Sequence, residues 1–176
     1  MSGLLEKQLE REYYYSTQQV YKRCISDWIE SHDFDYFVTL TFANSEISKE
    51  NAERALKTHF IWVNKASFTN SERKKGKRVS MTPFIEKNAL DGYHFHIFLK
   101  VPEGTHYCKI KQVVRDCWCR LKESGKVPFD ARDENNNHKW FMPIYNPRGL
   151  TKYVLKQSSN LLMDNLVADL ISKSKS

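Results

Sequence analysis

No stretch of this chain approaches the ~20 consecutive apolar residues that a membrane-crossing helix needs. The opening residues, MSGLLEKQLEREYYY, become charged too early for a secretory leader. Cysteine is scarce: Cys24, Cys108, Cys117 and Cys119 contain no CxxC pair, which argues against zinc ribbons and dithiol redox motifs. Cys117 and Cys119 stand two apart in a helical pattern, a spacing that points them to different faces, so reduced structural thiols are the reading. There is no GxxxxGK[ST] string for an ATPase phosphate loop, no internal repeat, and no linker that would divide two domains. These absences leave the expectation of a single, soluble, cytosolic domain of 176 residues, long enough for one core.

What the chain has in excess is positive charge. Lysine and arginine number 28 against 21 acidic residues, a formal charge of +7. Such a surplus favours polyanionic partners, nucleic acid above all, through phosphate neutralisation and counterion release.

Periodicity predicts the elements in order. Residues 4–31 read as a helix, with Val20, Cys24, Ile25, Trp28 and Ile29 at helical spacing. DYFVTLTFAN (35–44) is a strand, and Ser48 to Lys65 a helix with Ser48 as its cap. NSERKKGKR (70–78) reads as a basic loop. VSMTPFIEK is a strand that Pro83 assigns to an edge or a bulge. Through NALDG it forms a hairpin with YHFHIFLKV. A helix with Ile110, Val113, Val114, Cys117, Trp118 and Leu121 on one stripe follows, stopped by Gly125. HKWFMPIY is the last strand. Asn146 and Pro147 then start a helix over NPRGLTKYVLKQ, and a weak helix from Leu161 to Ile171 closes the chain. The expected class is α+β: a ferredoxin-like, RRM-like antiparallel sheet flanked by helices, with an extra N-terminal helix. Its core spans about 35–157, and 158–176 form a tail.

Within the second hairpin strand, His94 and His96 alternate with Tyr93, Phe95, Ile97 and Leu99. Both imidazoles therefore project from one face, and the apolar residues supply the other. Two neutral imidazoles on a rigid strand make half of a metal site, although an H-x-H pair also occurs as plain polar surface. If the hairpin loop spans 88–92, Glu86 lies opposite His94 as a third ligand. A two-residue Asp91-Gly92 turn would instead bring Asn88 or Ala89 there. His32, His59, His106 and His138 show no ligand spacing, and His59 either packs or lies on its helix surface. Further along, Tyr153 and Lys156 stand three apart and share a helix face.

Taken together, YFVTLTF, GYHFHIFLK and YVLK resemble, in order and spacing, the three motifs of HUH endonucleases of the rolling-circle replication initiator (Rep) group. The resemblance covers about residues 35–157. It implies that His94 and His96 bind a divalent metal, Mg²⁺ or Mn²⁺, with Glu86 as the acidic ligand. It further implies Tyr153 as the nucleophile and Lys156 as the lysine of the tyrosine motif. The implied activity is nicking and rejoining of single-stranded DNA at a replication origin through a 5′-phosphotyrosyl intermediate, in a plasmid or phage. An origin hairpin and a host helicase are the further partners implied, and no membrane, with the cytoplasm of a bacterial or host cell as the location. Arg73, Lys74, Lys75, Lys77 and Arg78 would then grip phosphates, as would Arg148 and Lys152 beside the tyrosine. A relaxase or transposase would share this chemistry. The alternative of another class is a non-catalytic, RRM-like single-stranded nucleic-acid binder, which needs aromatics on an open sheet face; no KGFGFV-like string is present.

Overall fold

The structure, a computed structural model, describes residues 2–88, 92–121, 125–126 and 140–157. Along the chain run α1 (Ser2–Ser31), β1 (Tyr36–Phe42), α2 (Lys49–Ser67), α3 (Asn70–Lys74), β2 (Ser80–Asn88), β3 (Gly92–Lys100), α4 (Tyr107–Cys119), β4 (Gly125–Lys126), β5 (Phe141–Pro143) and α5 (Pro147–Gln157). The expected weak helix from Leu161 to Ile171, and His138, lie outside the described residues.

Strand β1 organises the molecule because its residues alternate cleanly. Val38, Leu40 and Phe42 turn to one side; Phe37, Thr39 and Thr41 turn to the other. β3 pairs antiparallel along one edge of β1, from Tyr36↔Leu99 to Thr41↔His94. The opposite edge is shared by β5, facing Tyr36–Val38, and β4, facing Thr41 and Phe42. Two backbone bonds lengthen the β5 contact: Thr39 N–H donates to Trp140 O at 2.8 Å, and Ile144 N–H to Asp35 O at 2.9 Å. β2 lies outside β3, giving the order β2-β3-β1 followed by the two short strands. The edge place suits Pro83, which has no N–H to give to a further strand.

The hairpin register decides which side chain stands across from His94. Asn88 pairs with Gly92 and Glu86 with His94, as the longer loop predicted. Gly92 has φ +72°, and a Cβ there would sit 2.3 Å from the backbone oxygen of Ser45. Only glycine tolerates that approach, so this end of β3 is fixed against the β1–α2 connection.

Two cores result, one on each face. Val38, Leu40, Phe95, Ile97 and Leu99 are buried beneath α2 and α4, which contribute Leu56, Val63, Ile110, Val114 and Trp118. On the other face Phe37, Phe84 and Phe98 are covered by Ile25 and Ile29 of α1 and by Val154 and Leu155 of α5. The helical caps are as expected: Ser48 accepts from Asn51 N–H at 3.2 Å, and Asn146 Oδ1 from Gly149 N–H at 3.2 Å.

The structure corrects three local expectations. The basic segment 70–78 is not all loop, because Thr69 and Glu72 form a reciprocal capping box that starts α3. Gly125 is no helix stop. α4 already ends at Cys119, the chain turning through a bond from Leu121 N–H to Trp118 O, and Gly125 pairs with Phe42. The strand expected over 138–145 shortens to Phe141–Pro143 among the described residues.

Candidate metal centre and tyrosine

The face of β3 that carries the imidazoles is packed, not open polar surface. Phe37, Phe84 and Phe98 share that face, and leaving three phenyl rings in water would forfeit about 1.5–3 kcal/mol each. α1 and α5 cover them, and the histidines are enclosed with them: His94 is 8% exposed and His96 3%.

Inside this shelter the side chains converge. Nε2 of His94 and Nε2 of His96 each lie 3.2 Å from Oε2 of Glu86. One ligand atom from each of the three residues falls within 4.8 Å of the others, and this buried group could bind a metal ion. Atoms 3.2 Å apart have the separation of neighbouring donors around a divalent cation bonded at about 2.1 Å. Burial by itself raises the Glu86 carboxyl, but the hydrogen bonds and positive charge offered by both imidazoles outweigh it and hold the group down at about 2. Glu86 is therefore ionised at neutral pH, the form a cation requires.

The surroundings fix the rings. His96 stacks on Phe37, with centroids 5.5 Å apart and planes 12° from parallel, and meets His94 edge-on at 5.0 Å. Its other nitrogen, Nδ1, is 3.2 Å from Oγ1 of Thr39, the residue directly opposite on β1. Nδ1 of His94 is buried without a hydrogen-bond partner among the described residues. Sequence reasoning did not single out Thr39. The sequence carried only part of the signal: β1 alternation puts Thr39 on one face with Phe37 and Thr41, and the pairing that sets it across from His96 belongs to the folded sheet.

Helix α5 brings the tyrosine to this group. Its apolar side, Thr151, Val154 and Leu155, is buried, and Tyr153 remains 48% exposed at the boundary. The Tyr153 ring meets His96 edge-on with centroids 5.5 Å apart. Two histidines and a tyrosine separated by nearly sixty residues are thus brought together, with the phenol open to solvent. Arg148 and Lys152 are exposed on the same helix, and the backbone of Lys156 lies within it. The other expected phosphate contacts belong to the segment 70–78 that contains α3. Lys77 pairs with Glu72 at 3.0 Å and rests over Phe68, which belongs to the core beneath α2 and α4. Arg73, Lys74, Lys75 and Arg78 lie on that same segment.

His59 packs rather than facing solvent. It is fully buried against Trp118, edge-on at 5.2 Å, and neither ring nitrogen has a partner among the described residues. Burial pushes its pKa from an ordinary 6.5 down to about 3. Between those values the unfolded chain binds a proton that the folded chain refuses, so stability is full above pH 6.5 and falls as pH drops toward 3. The expected slope from this residue is at most about 1.4 kcal/mol per pH unit. Urea unfolding of the wild type and of His59→Leu at pH 7 and pH 5 checks it. The variant should gain on the wild type as pH falls, and an unchanged difference would count against the account.

Among the described residues no helix is long and apolar enough to cross a membrane, and the cysteines are free, with only Cys117 buried. Comparison with protein-family models, with curated proteins and with solved structures finds no match to this chain.

Proposed function

We propose that this protein is a metal-dependent endonuclease and strand transferase acting on single-stranded DNA through Tyr153, as rolling-circle replication initiators of plasmids and phages do. The observation that carries the reading is the meeting of a Glu-His-His group with a half-exposed tyrosine 5.5 Å from the nearer imidazole. Either feature alone is common, and their convergence from distant segments is what this chemistry needs.

In the proposed step the Tyr153 hydroxyl oxygen bonds to phosphorus as the bond to the 3′ oxygen breaks. The phenolic proton is lost and the departing 3′ oxygen gains one, leaving a free 3′-hydroxyl and a 5′-phosphotyrosyl link. The link is a phosphodiester like the one broken, so a 3′-hydroxyl can reverse the step without ATP. Phenols are almost wholly protonated at neutral pH, so the site must favour proton loss and hold the scissile group in line. A divalent ion, Mg²⁺ or Mn²⁺, held by Glu86, His94 and His96 would supply Lewis-acid charge to the phosphate oxygens. Arg148 and Lys152 offer exposed charge for the flanking backbone, and Lys156 sits one helical turn beyond the tyrosine.

The competing reading, base stacking on an open sheet, is less well supported, because among the described residues Phe37, Phe84 and Phe98 lie beneath α1 and α5. The decisive experiment incubates the protein with end-labelled single-stranded DNA and Mn²⁺ and resolves the products on a denaturing gel. A labelled species at the mass of protein plus DNA is expected, and EDTA should remove it. Retention of DNA in a native gel with no covalent species at any metal concentration would mean a binder, not a nickase.

A further inference from the structure

A histidine that donates one nitrogen to a cation usually relies on a partner for the other, because that partner sets which nitrogen carries the hydrogen and how the ring is turned. The two imidazoles here differ in this respect. His96 Nδ1 has Thr39 Oγ1 at 3.2 Å, whereas His94 Nδ1 has no partner among the described residues. We infer that Thr39 is a positioning residue for the metal centre, acting through His96; this rests on the metal reading of Glu86, His94 and His96.

A hydroxyl suits the task in a way that a carbonyl or a carboxylate would not. With His96 neutral and its hydrogen on Nε2, that nitrogen donates to the Glu86 carboxylate 3.2 Å away, and Nδ1 is left as an acceptor for the Thr39 O–H. When a cation takes the Nε2 lone pair, the ring hydrogen must reside on Nδ1, and the same hydroxyl oxygen then accepts from Nδ1–H. A hydroxyl is both donor and acceptor, so it satisfies each state by rotating. A carbonyl oxygen could serve only the second. Because neither state leaves Nδ1 unpaired, neither pays the cost of an orphaned buried nitrogen.

The geometry has few ways to slip. Thr39 is a direct cross-strand partner of His96 in β1–β3, and Phe37 holds the same ring by stacking from two residues away. Thr39 is itself partly buried, so water competes poorly for its hydroxyl.

Titration calorimetry with Mn²⁺ on the metal-free full chain tests this without reference to DNA. Thr39→Val keeps the branched shape and a strong strand preference but deletes the hydroxyl, and should bind Mn²⁺ about 10- to 100-fold more weakly. Thr39→Ser restores the hydroxyl and should return affinity to within about threefold, where the hydrogen bond alone matters. Thr39→Ala carries the same expectation as Val should the valine methyl disturb the strand. Equal urea midpoints would show that the fold is intact in each. If the wild type binds Mn²⁺ and Thr39→Val binds as tightly, the positioning role is overturned. It is overturned also if Thr39→Ser is as weak as Thr39→Val, for then shape and not the hydroxyl is at work. Failure of the wild type itself to bind, alongside Glu86→Ala, would instead remove the metal reading on which the inference stands.

Discussion

Replacing Tyr153 with phenylalanine should reduce covalent DNA adduct formation to background, a loss of at least about a thousandfold. The change deletes one oxygen and nothing else. Tyr153 is 48% exposed, and its contact with His96 is between the two rings, which phenylalanine retains, so packing and stability should scarcely move. Mn²⁺ affinity should stay close to wild type, because Glu86, His94 and His96 are untouched. A gel assay for the adduct, run beside calorimetry and urea unfolding, distinguishes the outcomes. An adduct that survives in Tyr153→Phe would shift attention to Tyr145, which is 90% exposed just before α5 and is not packed against the imidazoles. Loss of adduct together with loss of metal binding would indicate that the tyrosine supports the site instead of attacking DNA.

The second large effect concerns stability. Phe98 is fully buried and lies at the centre of the core that carries the site, with ring centroids 5.6 Å from Phe34, 5.2 Å from Phe37 and 6.0 Å from Phe84. Phe98→Ala should cost about 3–5 kcal/mol, the sum of lost apolar transfer and the cavity left behind. That is a large part of the ~5–15 kcal/mol that holds a domain of ordinary stability. Phe98→Leu, which fills most of the space, should cost appreciably less. Urea midpoints measure both. The functional consequence comes from position: α1 and α5 dock on this cluster, and α5 carries Tyr153. Phe98→Leu should therefore lower the rate of adduct formation more than it lowers Mn²⁺ affinity, because the ligands sit on the sheet and the tyrosine sits on the helix that the core supports. Equal losses in both would mean that the cluster supports the strands alone.

Much of the fold and of the candidate site was legible in the sequence, and for identifiable reasons. Alternation in YHFHIFLK is enough to place His94 and His96 on one face, because strand side chains have a period of two residues. Asn146 and Pro147 announce the start of α5, since a cap and a preset φ are local properties. Pro83 marked an edge or a bulge because a missing N–H has the same meaning wherever it occurs, and the folded sheet shows the edge. The capping box of Thr69 and Glu72 is equally local, and it starts α3 within a segment whose composition is that of a basic loop.

Other features depended on the folded chain. Periodicity could show that Phe37, Phe84 and Phe98 needed cover on the imidazole face, but not that α1 and α5 would provide it. The hairpin could close with two registers, and only the folded β2–β3 pairing puts Glu86 across from His94. Thr39 acquires its meaning only from a strand 57 positions away.

By itself, then, the sequence determined the local states: which residues form strands and helices, where the helices begin, and which side chains share a face. It could do so because those depend on spacing, capping and backbone freedom within a few residues. Tertiary structure alone decided which faces meet, how deeply the histidines are enclosed, and that Tyr153 stands beside His96. Those outcomes depend on how much apolar surface the whole chain can remove from water at once, a quantity that no short window of residues contains.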